Sequence, residues 1–137
     1  MRALMRFYEV DIPKPLLPSI VLSVERDELG INAGLQDRVV QTYEGIVYMD
    51  FDKSLLESRG YGHYENLQPP KMPPIFVSYD PDRAEISDVP HRNLRELWNR
   101  GDPVVHQAMQ KLRDLTDAGR AALMNGDWTE LGRVIDA

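Results

Sequence analysis

Two acids in the stretch Ser23–Phe51, SVERDELGINAGLQDRVVQTYEGIVYMDF, have the type and spacing to do chemistry together. Glu25 and Asp37 lie twelve positions apart, with Gly30 and Gly34 between them. Glycine tolerates the backbone conformations that a sharp reversal demands, so the loop can fold one carboxylate back toward the other. Two acids facing one pocket suit a divalent cation plus a general base.

Positioning those acids requires a helix end, a tight loop, a second short helix and a strand. Apolar residues at helical spacing make Ala3–Val10 the last turns of a helix, a poor element by itself. Pro13, Pro15 and Pro18 mark a connection in which the next helix begins, since proline fits a first turn where its missing N–H has no partner anyway. Ile20, Val21, Val24 and Leu29 then form a stripe expected to be buried, and Gly30 is a natural stop. Leu35–Tyr43 reads as the second helix, with Leu35, Val39 and Val40 on one side and Asp37 in its first turn. The positive end of a helix dipole favours an ionised carboxylate there by about 0.3–1 kcal/mol. Gly45 ends that helix, and Ile46–Phe51 is expected as a strand.

Beyond the acids the chain changes character. Lys53–Ser58 is expected as one or two helical turns. Gly60, Gly62, Pro69-Pro70 and Pro73-Pro74 bracket a weak strand at His63–Leu67. The apolar, β-branched and aromatic run Ile75–Tyr79 is expected to be a buried strand, followed by a surface loop at Asp80–Val89. The rest is helical. Pro90–Arg100 places Leu94, Leu97 and Trp98 on one face. Asp102-Pro103 caps a long helix whose stripe is Val105, Met109, Leu112, Leu115 and Ala122, and Asn125-Gly126 closes it. Asp127 with Glu130 starts a last helix facing inward through Leu131, Val134 and Ile135. A strand-containing first half followed by a helical second half is an α+β arrangement.

Composition removes several classes of function. With 137 residues and 42% hydrophobic content the chain can bury a modest core. A net charge of −6 disfavours nonspecific contact with nucleic acid or anionic membrane, which depends on clustered cations. No segment is apolar for long enough to span a bilayer, and no signal-peptide pattern opens the chain. Lacking cysteine, it has neither disulfides nor thiolate metal ligands. A cytoplasmic location follows as the simplest expectation.

The run E-R-D-E-L-G-I-N-A-G-L-Q-D resembles the catalytic segment of the GHMP sugar kinases. In these, a helix glutamate is followed, after a glycine-bearing loop, by an aspartate opening the next helix. Within that superfamily ELGINAGLQDRVVQ and YEGIVYMDF are most similar to glucuronokinase, and the likeness continues through ISDVPHRNLRELW and AGRAALMNGDW. It implies a partial two-layer GHMP fold, with residues 1–80 as the end of an N-terminal domain and 81–137 as the start of a helical C-terminal one. The superfamily's Gly-Ser-rich phosphate loop and its second glycine motif have no counterpart in the 137 residues. The chain therefore looks like the middle of an enzyme, and by itself is expected to be inactive or nearly so.

What the resemblance implies can be placed residue by residue. Asp37 would be the base or positioning group beside the sugar hydroxyl while that hydroxyl attacks the γ-phosphate of ATP; the plain alternative is a helix-capping acid. Glu25 would hold Mg2+, or be an ordinary solvated glutamate, as Asp27 and Glu28 are expected to be. Gly34 and Gln36 would meet sugar hydroxyls, or be a turn glycine and a surface glutamine. Ser87 and His91 fall where the glucuronokinase pattern has Ser-x-x-x-His near the sugar. His63 and His106 have no partner at metal spacing, and Asp50 and Asp52 fit a strand end better than a metal site. Arg38, Arg83 and Arg92 are candidates for a substrate carboxylate.

The implied reaction is ATP-dependent phosphorylation of the anomeric hydroxyl of a sugar acid such as D-glucuronate. A rival expectation is a degenerate kinase half kept for binding or homodimerisation through apolar surface. A truncated reading frame with no separate role is a third.

Overall fold

Leu17, Pro18 and Val39 are where the first part of the chain closes on itself: Val39 is fully buried and Leu17 is 8% exposed. Burying a side chain of this size contributes about 1.5–3 kcal/mol. The computed structural model describes residues 1–31, 33–72, 74–80 and 88–137, with the backbone alone at 88–92. Their packing divides into two compact units, Met1–Gln68 and Pro69–Ala137.

The first unit opens with α1 (Arg2–Tyr8), which buries none of its residues and ends on Glu9 in the left-handed conformation. A 3-10 turn at Lys14–Leu16 leads into α2 (Leu17–Ser23), each with a proline in its first turn. Instead of stopping, α2 continues into one π turn, Val24–Glu28. A loop then reverses the chain into α3 (Leu35–Tyr43), which packs against α2. Glu44 and Gly45, both at positive φ, turn it into β1 (Ile46–Asp50). Next comes α4 (Lys53–Arg59), capped by Asp52, whose carboxylate accepts from the N–H groups of Ser54 and Leu55. β2 (His63–Leu67) returns antiparallel to β1, with Ile46 opposite Leu67 and Asp50 opposite His63. Gly62 sits where a Cβ would come within 2.2 Å of the Asp50 carbonyl oxygen, so the sheet closes there only with glycine.

In the second unit α5 (Asp88–Asn99) precedes α6 (Pro103–Asn125) and α7 (Trp128–Ile135). Asp102 caps α6 by accepting from the Val104 and Val105 amides, and Pro103 occupies its first turn. Gly126, at φ 68°, ends α6. Asp127 caps α7 by accepting from the Glu130 amide. α7 packs on α6 through Val134 and Leu131, 3.5 and 3.9 Å from where a Cβ on Gly119 would lie.

Seven helices and a two-stranded sheet among the described residues make the chain α+β, strands in the first half and helices in the second. Ile75–Tyr79 is a correction. These residues form no strand, and Ile75, Phe76, Val77 and Tyr79 are 69%, 90%, 87% and 82% exposed. An apolar run becomes a strand only where another strand offers hydrogen bonds, and the sheet consists of β1 and β2 alone among the described residues. Val24 and Leu29 also depart from the expected buried stripe. The π turn widens the helix at this point, and both side chains are exposed. Ile135 and Val40 likewise lie outward of the cores their helices face.

Candidate catalytic site

The loop between α2 and α3 is built by departures from regular helix. Within the π turn the Leu29 N–H donates to the Val24 carbonyl at 3.2 Å, a bond spanning five residues instead of four. The Ile31 N–H then donates to the carbonyl of Glu25 at 2.8 Å, so the backbone of Glu25 itself ties down the loop. Gly30, at φ 64°, makes the reversal. Gly34 is extended, and its neighbour Leu35 starts α3. Single π turns concentrate at functional sites because they shift side chains out of the helical sequence of directions.

Glu25 and Asp37 are brought to the same group, and that group is Arg38. Its Nε donates to Glu25 Oε2 at 2.5 Å, and its Nη1 donates to Asp37 Oδ2 at 3.2 Å and to the Gly34 carbonyl at 3.3 Å. The side chains of Arg38 and Glu25 are 14% and 23% exposed, whereas that of Asp37 is 75% exposed. The inner ion pair is thus partly shielded from solvent while the outer acid stays open to it. The hydrogen bond that Arg38 donates to Glu25 holds the guanidinium above its ordinary value; burial opposes this, and the charges of Glu25 and Asp37 reinforce it. Arg38 therefore remains a cation throughout the accessible pH range. A charge-assisted hydrogen bond of this kind contributes about 1.5–3 kcal/mol.

Beside this cluster an open groove of about 490 Å³ is lined by Arg38 together with Arg2, Leu17, Val21 and Thr42. Arg2 reaches across to Glu44 and to the Thr42 carbonyl, both at 2.9 Å, tying α1 to the end of α3. Thr42 in turn donates to the Arg38 carbonyl at 2.7 Å.

The other expected positions divide. Gly34 and Gln36 are exposed at the start of α3, and a Cβ on Gly34 would meet nothing within 4 Å, so the backbone there is open to a ligand. Ser87 and the side chain of His91 lie outside the described residues, as does Arg83 and the side chain of Arg92. Asp27 and Glu28 are exposed. His63 is near Glu65, 3.9 Å away, and His106 stacks on Trp98 with ring centroids 3.9 Å apart. Asp50 accepts from the Asp52 amide at 3.0 Å, which makes the acidic strand end part of the α4 cap.

Magnesium, which the resemblance implies at Glu25, is a poor fit to these donors as they stand. One oxygen of each acid is already bonded to a guanidinium. No group of three or more acidic, histidine or cysteine side chains could hold a metal among the described residues. What the cluster can do is present one oriented, solvent-facing carboxylate at the mouth of a glycine loop, with a fixed cation behind it.

No protein-family model and no solved structure matches the sequence. No helix of the described residues is long and apolar enough to cross a membrane. Among curated proteins, glucuronokinase 1 of Arabidopsis thaliana is 38% identical over 133 residues, covering 96% of this chain and 36% of the relative. Probable glucuronokinase 2 of the same plant is 35% identical over 136 residues, 97% of this chain and 37% of the relative. The chain thus spans just over a third of the length of these relatives. At that identity across nearly all of its residues, including the loop that joins Glu25 to Asp37, the chain is glucuronokinase-like in sequence.

Proposed function

We propose that the chain supplies the acceptor side of an ATP-dependent sugar-1-kinase of the GHMP type, acting in the cytoplasm on a sugar acid such as D-glucuronate. The observation that carries this reading is that a likeness to two glucuronokinases spans the loop at which Glu25 and Asp37 meet on Arg38. In this reading the anomeric O–H of the sugar lies against Asp37. Its oxygen attacks the γ-phosphorus, the bond from that phosphorus to the bridging oxygen breaks, ADP leaves, and the hydroxyl proton passes to Asp37. Phosphoryl transfer depends mainly on alignment and charge neutralisation, so one oriented carboxylate is a sufficient contribution from this side. Gly34 and Gln36 would hydrogen-bond sugar hydroxyls, with Ser87 and His91 completing the sugar site. ATP brings Mg2+ with it. Residues 1–80 and 81–137 would belong to the two domains of the complete kinase, and the glycine motifs for the nucleotide would come from residues beyond these.

The test is a chimera in which these 137 residues replace the matched third of Arabidopsis glucuronokinase 1. The chimera should convert D-glucuronate and ATP to glucuronate 1-phosphate, read by phosphorus NMR. Asp37→Asn should lower turnover by about 10²–10⁴-fold, and the 137-residue chain alone should yield little or no product. A folded chimera that binds ATP and forms no sugar phosphate would overturn the reading.

One observation favours a second reading, an assembly role: Phe76 and Val77 stand almost fully exposed. Sedimentation of the chain as a clean monomer at all concentrations would remove it.

A further inference from the structure

We propose that Glu25 is the anchor of Arg38, and that Arg38, so anchored, is the positioning residue that sets the Asp37 carboxylate at the mouth of the loop. Glu25 then acts through an arginine and not as a cation ligand. The inference rests on the kinase reading only for what Asp37 does once it is set; the anchoring itself is a property of this chain.

The geometry argues for it in three ways. A guanidinium presents its donors in one rigid plane, so fixing one edge fixes the other. Here the Nε edge is held by Glu25, and Nη1 serves both Asp37 and the Gly34 carbonyl at 3.2 and 3.3 Å. Two segments on either side of the loop are thereby joined through one side chain.

The exposures run in the order that the roles require. Glu25 and Arg38 are largely covered, and Asp37, the group that would meet a substrate, is mostly open. A cation ligand would need the reverse, with Glu25 free to exchange water for metal.

Charge gives the third argument. One arginine between two carboxylates leaves a formal charge of −1 for the trio, carried outward by Asp37. Mg2+ placed between the acids would have to displace a cation already bonded to both. Magnesium also demands near-octahedral oxygen ligands and sheds water reluctantly, so it is a weak competitor for a site of this kind.

The experiment uses the 137-residue chain itself and needs no turnover. In 15N-labelled protein the Arg38 Nε–H should appear as a slowly exchanging, resolved signal, since the pair is shielded. Adding MgCl2 should leave it in place. Glu25→Ala should abolish it, whereas Asp37→Ala should keep it, because Nε bonds Glu25 and not Asp37. Arg38→Lys, which retains charge but not the planar fork, should leave the Asp37 side-chain carbon signal as averaged as that of exposed Asp27. Should MgCl2 erase the Nε–H signal of the unmodified chain while shifting the Glu25 carboxyl carbon, Glu25 is a metal ligand and the proposal fails. Absence of the signal from the unmodified chain refutes the anchoring outright. Neither magnesium result depends on a variant folding. A catalytically silent chimera would sink the kinase reading and leave this result standing.

Discussion

Arg38 follows directly on the acid that the proposed reaction needs, and its place between Asp37 and Glu25 makes two roles separable by kinetics. Asp37→Asn in the chimera removes the proton acceptor while keeping size and shape. A loss of about 10²–10⁴ in kcat is expected, with the KM for ATP unchanged. Arg38→Lys keeps a positive charge but presents no fork, so Asp37 loses its orientation; kcat should fall by up to about 10²-fold, again with ATP binding intact. Steady-state kinetics with each substrate varied would check both, and a rise in KM for ATP at constant kcat would contradict them. Arg38→Ala should also lower the unfolding free energy of the chain by about 1–3 kcal/mol, because Glu25 would then be left partly covered without its partner. Of this cluster, the approach of the two acids was legible in the sequence, whereas Arg38 was singled out only for a substrate carboxylate and not as the group that joins them. A carboxylate flanking a glycine loop narrows what it can do, but a guanidinium can pair with substrate or protein alike. The one available signal was that Arg38 lies four residues after Gly34, the residue that precedes α3, within reach of its carbonyl.

At the scale of elements, caps and sheet closure decide how each unit holds together. Asp102→Ala leaves two first-turn amides of α6 without an acceptor and should lower the stability of the second unit by about 1 kcal/mol, measured by urea unfolding. The aromatic seam of the first unit gives a pH dependence. Burial raises the Tyr43 and Tyr64 phenols above their ordinary values, and their rings lie 5.6 Å apart. Below about pH 10 the phenols are neutral in both folded and unfolded chains, so their contribution is fully present. Above it the unfolded chain ionises first, so stability declines until the folded phenols ionise as well. Thermal unfolding between pH 8 and 11 should show this alkaline decline, and Tyr43→Phe should reduce it. Caps such as Asp102 and Asp127, and the strand at His63–Leu67, were legible because their signals are local: a side chain meeting an amide two or three residues on, or a short run bracketed by glycine and proline breaks. The π turn was not, since whether a carbonyl bonds four or five residues ahead depends on what the loop after it must reach. Ile75–Tyr79 failed for a related reason: β-branched and aromatic composition describes a segment suited to a sheet, and the partner strand is a matter of tertiary structure.

For the whole chain, charge and exposed apolar surface act against each other. The sequence has a net charge of −6 at neutral pH and a pI near 5.0. At pH 7 mutual repulsion opposes association of copies, and it vanishes as the carboxylates protonate toward the pI. What remains is attraction between exposed apolar groups, and Phe76, Val77 and Tyr79, at 90%, 87% and 82% exposure, are the most concentrated of these. Single exposed apolar residues are ordinary, but a contiguous run is a site for association. Light scattering at low salt should therefore show a maximum near pH 5.0. Phe76→Ser combined with Val77→Ser should flatten that maximum, and because neither side chain is buried the melting temperature should stay within the small range typical of surface substitutions. If the double variant scattered as strongly as the unmodified chain, association near the pI would have to come from another surface. If instead it lost several degrees of melting temperature, the run would be packed in solution, and its exposure would not describe the folded chain.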